Sequence, residues 1–479
     1  MKIFKYICIG ALMLTATSCG DDWLNLEPST SVETTTSIKI LSDVEFTLNG
    51  IYSDMQSSDA YSGRLVYYGD VRGDDMQAVS LTKRTGDYYN YGHTKDNGPT
   101  SHWSSLYSFI QNTNLILNAI DGIDATGEEE YRDDLKGQAL TIRAMALFDL
   151  TRIFGYPYTK DNGASLGVPI VKELSGIDSK PSRNTVAECY AQVISDLTTA
   201  IPLLSGDFNK GKLNKWAAMS LLSRVYLYKG DNENALAMAE AAIEGAEGEG
   251  WELWSHDDYA RAWAEDATSI APGEILFEIV NTTTDSPGKD SMGYLNSKSG
   301  YDDMCITSSF YDFLLQDPDD VRLELLSFDG TKYAYVFKYQ PQEGESITDA
   351  NIPLLRLSET YLNAAEAAVK LGDNSKAIKY LDPIVSRANP NKTVEGMSLT
   401  LEDVLNERRK ELVAEGHRMY DVIRNGMTVE RFDVKNDKIA KTKHFSSNME
   451  FNWDFYRIVL PIPKAEIDAN PNMEQNPGY

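Results

Sequence analysis

The sequence predicts a mainly α fold in which paired helices support a loop-rich lobe with little β structure. Three observations carry that expectation. Apolar residues recur with the 3.6-residue period of amphipathic helices over most of the chain. One helix pair occurs twice, each copy folded about a Gly-Asp step. Between the helices lie Gly- and Tyr-rich stretches too long for ordinary connections and too aromatic for disorder.

In the first copy, residues 214–244, Trp216, Met219, Leu222, Val225 and Tyr226 share one helical face, and Ala235, Leu236, Ala239, Ala242 and Ile243 share another. Gly230 can close the first helix in the left-handed conformation, and Asp231 can cap the second. Residues 353–387 repeat the unit. With Gly372-Asp373 laid on Gly230-Asp231, Ala377, Ile378, Ile384 and Val385 match Ala235, Leu236, Ala242 and Ile243. Small residues at recurring places let helices approach closely, a tetratricopeptide-like pattern whose apolar faces only a neighbouring hairpin can bury. Pro383, inside the second helix of this copy, predicts a kink or an early end.

Residues 1–18 have the form of a secretory signal: Lys2 and Lys5, an apolar run from Tyr6 to Leu14, then small residues before Cys19. That run is too short to span a bilayer. Leu14-Thr15-Ala16-Thr17-Ser18 before Cys19 reads as a lipobox, which makes Cys19 an acylated anchor. Each buried acyl methylene would contribute about 0.8 kcal/mol. Residues 19–41, polar, acidic and Thr-rich, read as the acylated cysteine and its tether. Residues 42–479 read as one domain with loop-rich insertions around 61–101 and 247–301.

A net charge of −27 argues against nucleic acid bound through a broad basic face. Beyond the signal and Cys19, Cys189 and Cys305 stand in no zinc or redox spacing and read as buried thiols. Helices are expected at 42–55, with Ser42 as cap and Glu45 completing a capping box, and at 102–119, 129–154, 185–204 and 401–425. The strand-like runs are EILFEIV at 274–280 and KYAYVFKY at 332–339, either paired with each other or separate.

No histidine pair, G-x-S-x-G elbow or phosphate loop marks an enzyme, and no motif calls for a cofactor. Glu407, Glu411 and Glu415 recur at four-residue steps beside Arg408, Arg409, Arg418 and Asp421. Acid/base work on a glycosidic bond would need two carboxyls about 5 to 10 Å apart across a sugar cleft. Ion pairs along a helix need only this spacing, with Arg418 or Arg424 fastening the helix to its neighbours. The acidic clusters Asp70, Asp74, Asp75 and Asp317, Asp319, Asp320 match no calcium loop, and no metal site is expected.

Four segments together resemble the SusD/RagB-like family of outer-membrane nutrient-binding lipoproteins: residues 142–157, 353–372, 405–426 and the carboxyl end VLPIPKAEIDANPNMEQNPGY. A departure is Asp382-Pro383-Ile384-Val385-Ser386-Arg387-Ala388, where the family usually has Asn-x-x-Arg-x-Arg-Ala. The resemblance implies a tetratricopeptide-like scaffold under a loop-rich ligand-binding lobe. It also implies a SusC-like TonB-dependent transporter as partner, an oligosaccharide as ligand, or in a minority a peptide, and outer-membrane attachment through the lipid anchor. A non-catalytic structural adaptor of the transporter is the other alternative.

A sugar offers an apolar face and a hydroxyl edge, so its site wants aromatic planes with polar partners around them. Tyr88, Tyr89 and Tyr91 stand in a Gly-flanked loop that periodicity cannot assign to the core. Trp254 and Trp263 occupy the second irregular region, with Tyr294 and Tyr301 in the loop beyond 274–280. Arg72, Asp74 and Asn90 are the polar partners. Each ring has an alternative place in the core, and the proposal requires the two irregular regions to meet around an open hollow.

Overall fold

A computed structural model describes residues 38–479 apart from Ser175, Ile177, 265–272, Asp329, 331–332, 342–343 and Glu345. The signal segment, Cys19 and nearly all of the tether therefore lie outside the described residues.

The described chain enters on α1 (Leu41–Met55), with Val44, Leu48, Ile51 and Tyr52 buried as their spacing predicts. Its cap differs from expectation. The capping position lies at Ile40, two residues ahead of Ser42, so Asp43 rather than Glu45 occupies the third position and accepts the amides of Lys39 and Ile40 at 2.8 and 3.1 Å. The stretch expected to be irregular contains α2 (Arg64–Val71), β1 (Met76–Ala78) and α3 (Gly86–Asn90). Next come α4 (Ser101–Ala119), α5 (Glu129–Phe154) and α6 (Val186–Ala200), with α5 packed between the other two.

The first repeated hairpin is α7 (Lys215–Lys229) and α8 (Asn232–Gly248). Asn214 accepts the amides of Trp216 and Ala217, Gly230 turns at φ 80°, and Asp231 accepts the amide of Asn234. After α9 (His256–Ala264) come β2 (Ile275–Ile279), β3 (Met304–Ile306), α10 (Ser308–Leu314), β4 (Leu326–Phe328), β5 (Ala334–Val336) and β6 (Ile352–Arg356). The second hairpin is α11 (Leu357–Leu371) and α12 (Asn374–Ala388), closed by Gly372 at φ 77° and capped by Asp373. The chain finishes with α13 (Leu401–Glu411), α14 (Arg418–Arg424), β7 (Val429–Glu430), β8 (Glu450–Phe451) and α15 (Lys464–Ala469). Helix α11 lies against α8, so each hairpin covers the other's apolar face.

The strands form antiparallel pairs β1–β3, β2–β6, β4–β5 and β7–β8. Three expectations are corrected here. Of the two readings of the strand-like runs the separate one holds, and 274–280 pairs with β6, because Pro353–Arg356, expected to start a helix, is extended and the helix begins at Leu357. Helix α12 does not end early at Pro383 but runs on to Ala388, with Ile384, Arg387 and Ala388 buried beyond the proline. The expected helix 401–425 is two helices, broken where Ala414 and Gly416 take φ of 68° and 84°.

That break lets α2 pass. A Cβ on Gly69 would stand 2.0 Å from the Gly416 carbonyl oxygen, and one on Gly416 would stand 2.7 Å from that of Val66. Two glycine backbones therefore touch where the lobe crosses the scaffold.

Glu407, Glu411 and Glu415 converge on buried cations despite the break. Arg322 meets Glu407 at 2.7 Å, Arg387 meets Glu411 at 2.8 Å, and Arg356 takes both Glu415 oxygens at 2.7 Å. Arg356 also pairs with Glu274, just ahead of β2. Arg424 grips Glu366 at 2.5 and 2.7 Å. These guanidinium–carboxylate pairs tie α11, α12, α13 and α14 to the β2–β6 ribbon as a network, since each carboxylate has a further cation beside it, Lys410 for Glu407, Arg322 for Glu411, Lys338 for Glu415 and Lys370 for Glu366.

Candidate functional site

The two aromatic regions fold differently. In the first, the ring expectation is corrected: Tyr88, Tyr89 and Tyr91 are enclosed, Tyr89 completely. The Tyr88 hydroxyl meets His102 Nε2 at 3.0 Å, the Tyr89 hydroxyl meets His444 Nδ1 at 2.7 Å, and Tyr91 donates to the Arg72 carbonyl at 2.6 Å. Two guanidinium groups hold this cluster from inside. Arg72 lies over Tyr68 and Tyr91, 4.5 and 4.2 Å from the ring centres. Arg431 lies 4.4 Å over Tyr89 and donates to the carbonyls of Val71, Arg72, Gly73, Tyr89 and Asn448.

The polar partners are likewise engaged. Arg72 donates to the Arg457 carbonyl at 2.6 Å. Asp74 is held by Arg418 at 2.6 and 2.9 Å; burial alone would raise its carboxyl, but that guanidinium brings it down to about 2. Asp75 pairs with Arg409 and Arg418. Asn90, half-exposed, spends its carbonyls on Ser446, Ser447 and Asn448. Burial holds the neighbouring His93 and His102 down at about 3, and His444 at about 4.

Trp254 and Trp263 are also interior, a second correction. With Tyr259 they form a small cluster of edge-to-face rings over the ion pairs. Arg356 lies 4.8 Å above Trp263, and Arg387 lies 4.3 Å above Tyr259. Rings that cover buried cations cannot also lie open to a ligand.

Tyr294 and Tyr301 remain at the surface, each half-buried. Their rings meet edge to face at 5.0 Å and 86°. The Arg84 guanidinium sits 3.9 Å over Tyr301, with Asp290 at 3.3 Å and Asp303 at 3.4 Å. Lys83 donates to the Tyr301 carbonyl. Burial raises the Asp303 carboxyl despite these two cations. The group is carried by the β1–β3 ribbon: Thr85 donates to the Asp303 carbonyl at 2.6 Å, so the turn bearing Arg84 is pinned against the one bearing Tyr301. This constellation has the half-open rings and convergent donors and acceptors that a polyhydroxylated ligand needs.

Lys83 and Arg84 were not among the expected partners. Their signal in the sequence is a cation pair just ahead of the tyrosine loop, and the turn that aims it at Tyr301, 217 residues away in the case of Arg84, is not local information. Elsewhere among the described residues, one cleft of about 410 Å³ runs between α4, the stretch bearing Pro169, Val171 and Pro181, and α15, and another of about 370 Å³ runs between α1 and β2. Neither contains an expected site residue.

Residues 330–479 match the profile of the SusD family, and residues 22–227 match one described as starch-binding associating with outer membrane. A crystal structure from Bacteroides vulgatus, of a protein whose name points to sugar binding, is 73% identical, covers 93% of this chain and 100% of its own, and superposes with a TM-score of 0.91. A SusD superfamily protein from the same organism is 38% identical over 92% of this chain and 100% of its own, at a TM-score of 0.84. The starch-binding protein SusD of Bacteroides thetaiotaomicron is 32% identical over 143 residues, which cover 29% of this chain and 24% of that protein.

Proposed function

The chain belongs to the SusD family, and from that premise we propose that it is a cell-surface lipoprotein that captures oligosaccharides without breaking a bond and passes them to a SusC-like TonB-dependent transporter. The observation that carries the binding half is the Tyr294–Tyr301 pair with Arg84, an open aromatic edge among polar groups. Acylation of Cys19 would hold the protein to the outer membrane, residues 19–41 would act as its tether, and residues 42–479 would move as one lid. The absence of catalysis is supported by Glu407, Glu411 and Glu415, each of whose carboxylates is held by buried cations.

A ligand that must be released to a transporter suits micromolar to millimolar affinity, roughly −8 to −4 kcal/mol. Calorimetric titration of the purified protein against a glycan panel tests the proposal. Binding of one glycan class, abolished or weakened by Tyr301→Ala, is the expected result. Binding of peptides and of no glycan would replace it with peptide capture. Uptake that persists when Tyr294 and Tyr301 are both replaced by Ala would favour the structural adaptor.

A further inference from the structure

The hairpin β7–β8 carries a long tip, residues 431–449, that the sugar-binding constellation does not explain. Between Phe432 and Phe445 this tip holds four lysines against two aspartates, in a chain whose net charge is −27. Lys435, Lys438, Lys441 and Lys443 are all exposed, and none has a carboxylate partner among the described residues. Of the two aspartates, Asp433 is turned onto the His444 amide at 2.9 Å. Phe432 and Phe445 beside them are 53% and 38% exposed, and Lys438 lies 5.8 Å from the ring of Phe328, itself 42% exposed. Free ammonium groups alternate here with open aromatic faces.

The tip is fixed to the ribbon that carries Tyr301. Gln77 on β1 donates to the Lys443 carbonyl at 3.0 Å, and the Val434 amide donates to Ser308, two residues past β3, at 2.9 Å. Tyr301 precedes the same strand, just ahead of a left-handed residue at Asp302, and the stretch from Asp303 to Ser308 that carries the strand spans roughly 15 Å. A ligand touching both ends is therefore an oligomer.

We infer that the ligand is an anionic polysaccharide, carrying uronate carboxylates or sulfate esters, whose chain runs from the Tyr294–Tyr301 edge to the lysines of the β7–β8 tip. The inference rests on the glycan-binding proposal above and names the chemical class of its ligand. Rings alone would serve a neutral sugar equally well. A local excess of unpaired cations on an otherwise acidic molecule serves a neutral sugar no purpose, whereas it draws a polyanion to this face alone while the rest of the surface repels it. A protein partner or lipid surface would meet the lysines but has no use for the ring edge and its hydroxyl partners.

Matched pairs of purified probes test this with the protein and a Lys435→Gln/Lys438→Gln/Lys441→Gln/Lys443→Gln variant. The pairs are polygalacturonate against its methyl ester, for carboxylate, and dextran sulfate against dextran, for sulfate. One charged member is expected to bind at least tenfold tighter than its neutral counterpart, with affinity falling as salt rises and lost at least tenfold in the variant. Tyr301→Ala is expected to weaken the same ligand, which a purely electrostatic contact would not show. Equal binding of charged and neutral members, or an unchanged variant, overturns the inference and leaves the glycan-binding proposal standing. Binding of no glycan sinks both. Equally tight, lysine-dependent binding of duplex DNA or of phosphatidylglycerol vesicles would overturn it in favour of unspecific polyanion or membrane contact. The four substituted side chains are exposed, so an unchanged melting temperature is the accompanying control.

Discussion

Two tyrosine-bearing turns lie on the same lobe, yet one is sealed and the other half-open. Tyr88, Tyr89 and Tyr91 are closed in by Arg72 and Arg431, cations that form no ion pair with a carboxylate among the described residues and are satisfied by carbonyls and ring faces. Tyr294 and Tyr301 have one guanidinium, Arg84, and that group is already shared with Asp290 and Asp303 at the surface. The difference teaches that ring content does not decide exposure. What decides it is whether a buried cation supplies enough donors to satisfy the main chain around the rings.

The contrast is broken most directly by Arg431→Met. Five carbonyls lose a donor at once, and a loss of about 3 to 5 kcal/mol in urea unfolding is expected. A loss below about 1 kcal/mol would show that the sealed turn does not depend on this cation.

Acid should act on the sealed turn and on the α13–α14 break. His93, His102 and His444 are depressed from the ordinary 6.5 to about 3, 3 and 4 by burial, and His417 to about 4. The unfolded chain then binds more protons, so the stability present above pH 6.5 is lost as pH falls towards these values. Asp70 works the other way: burial raises it to about 8, and its contribution fades as pH rises towards that value. The melting temperature is expected to drop between pH 7 and 5 in the parent, less in His102→Gln, and more steeply in Asp70→Asn. An identical slope in His102→Gln would remove the histidines from the account.

Tyr301→Ala sharpens the comparison from the open side. Glycan affinity should fall roughly tenfold, about 1.4 kcal/mol, while unfolding changes by less than about 2 kcal/mol. Tyr88→Phe should do the reverse, losing about 1 kcal/mol of stability with its His102 hydrogen bond and leaving affinity unchanged. If Tyr88→Phe weakened the ligand more than Tyr301→Ala, the assignment of open and sealed turns would be inverted.

The hairpins were legible because their determinants are local: Asn214, Gly230 and Asp231 do within a few residues what their residue types predict, and so do Gly372 and Asp373. The broken helix was not, since the need for Gly416 comes from Gly69, far away in the chain. The same holds for the rings. Nothing near Tyr89 announces Arg431, and nothing near Trp263 announces Arg356, so periodicity could place the loops but not say which side of the surface their rings would take. The carboxylates of α13 were readable as ion-pairing groups from spacing, but their partners on Arg322, Arg356 and Arg387 were not.

The β7–β8 tip is fastened by inward groups: the side chains of Arg431, His444 and Asn448, the Lys443 carbonyl, and the Val434 and Ser447 amides. None of its four exposed lysines lends a side chain to that fastening, so these outward positions carry no fastening duty. Their lettering could be rewritten, for another cargo or for a fluorophore or surface-coupling handle, with the rest of the molecule left to fold as before.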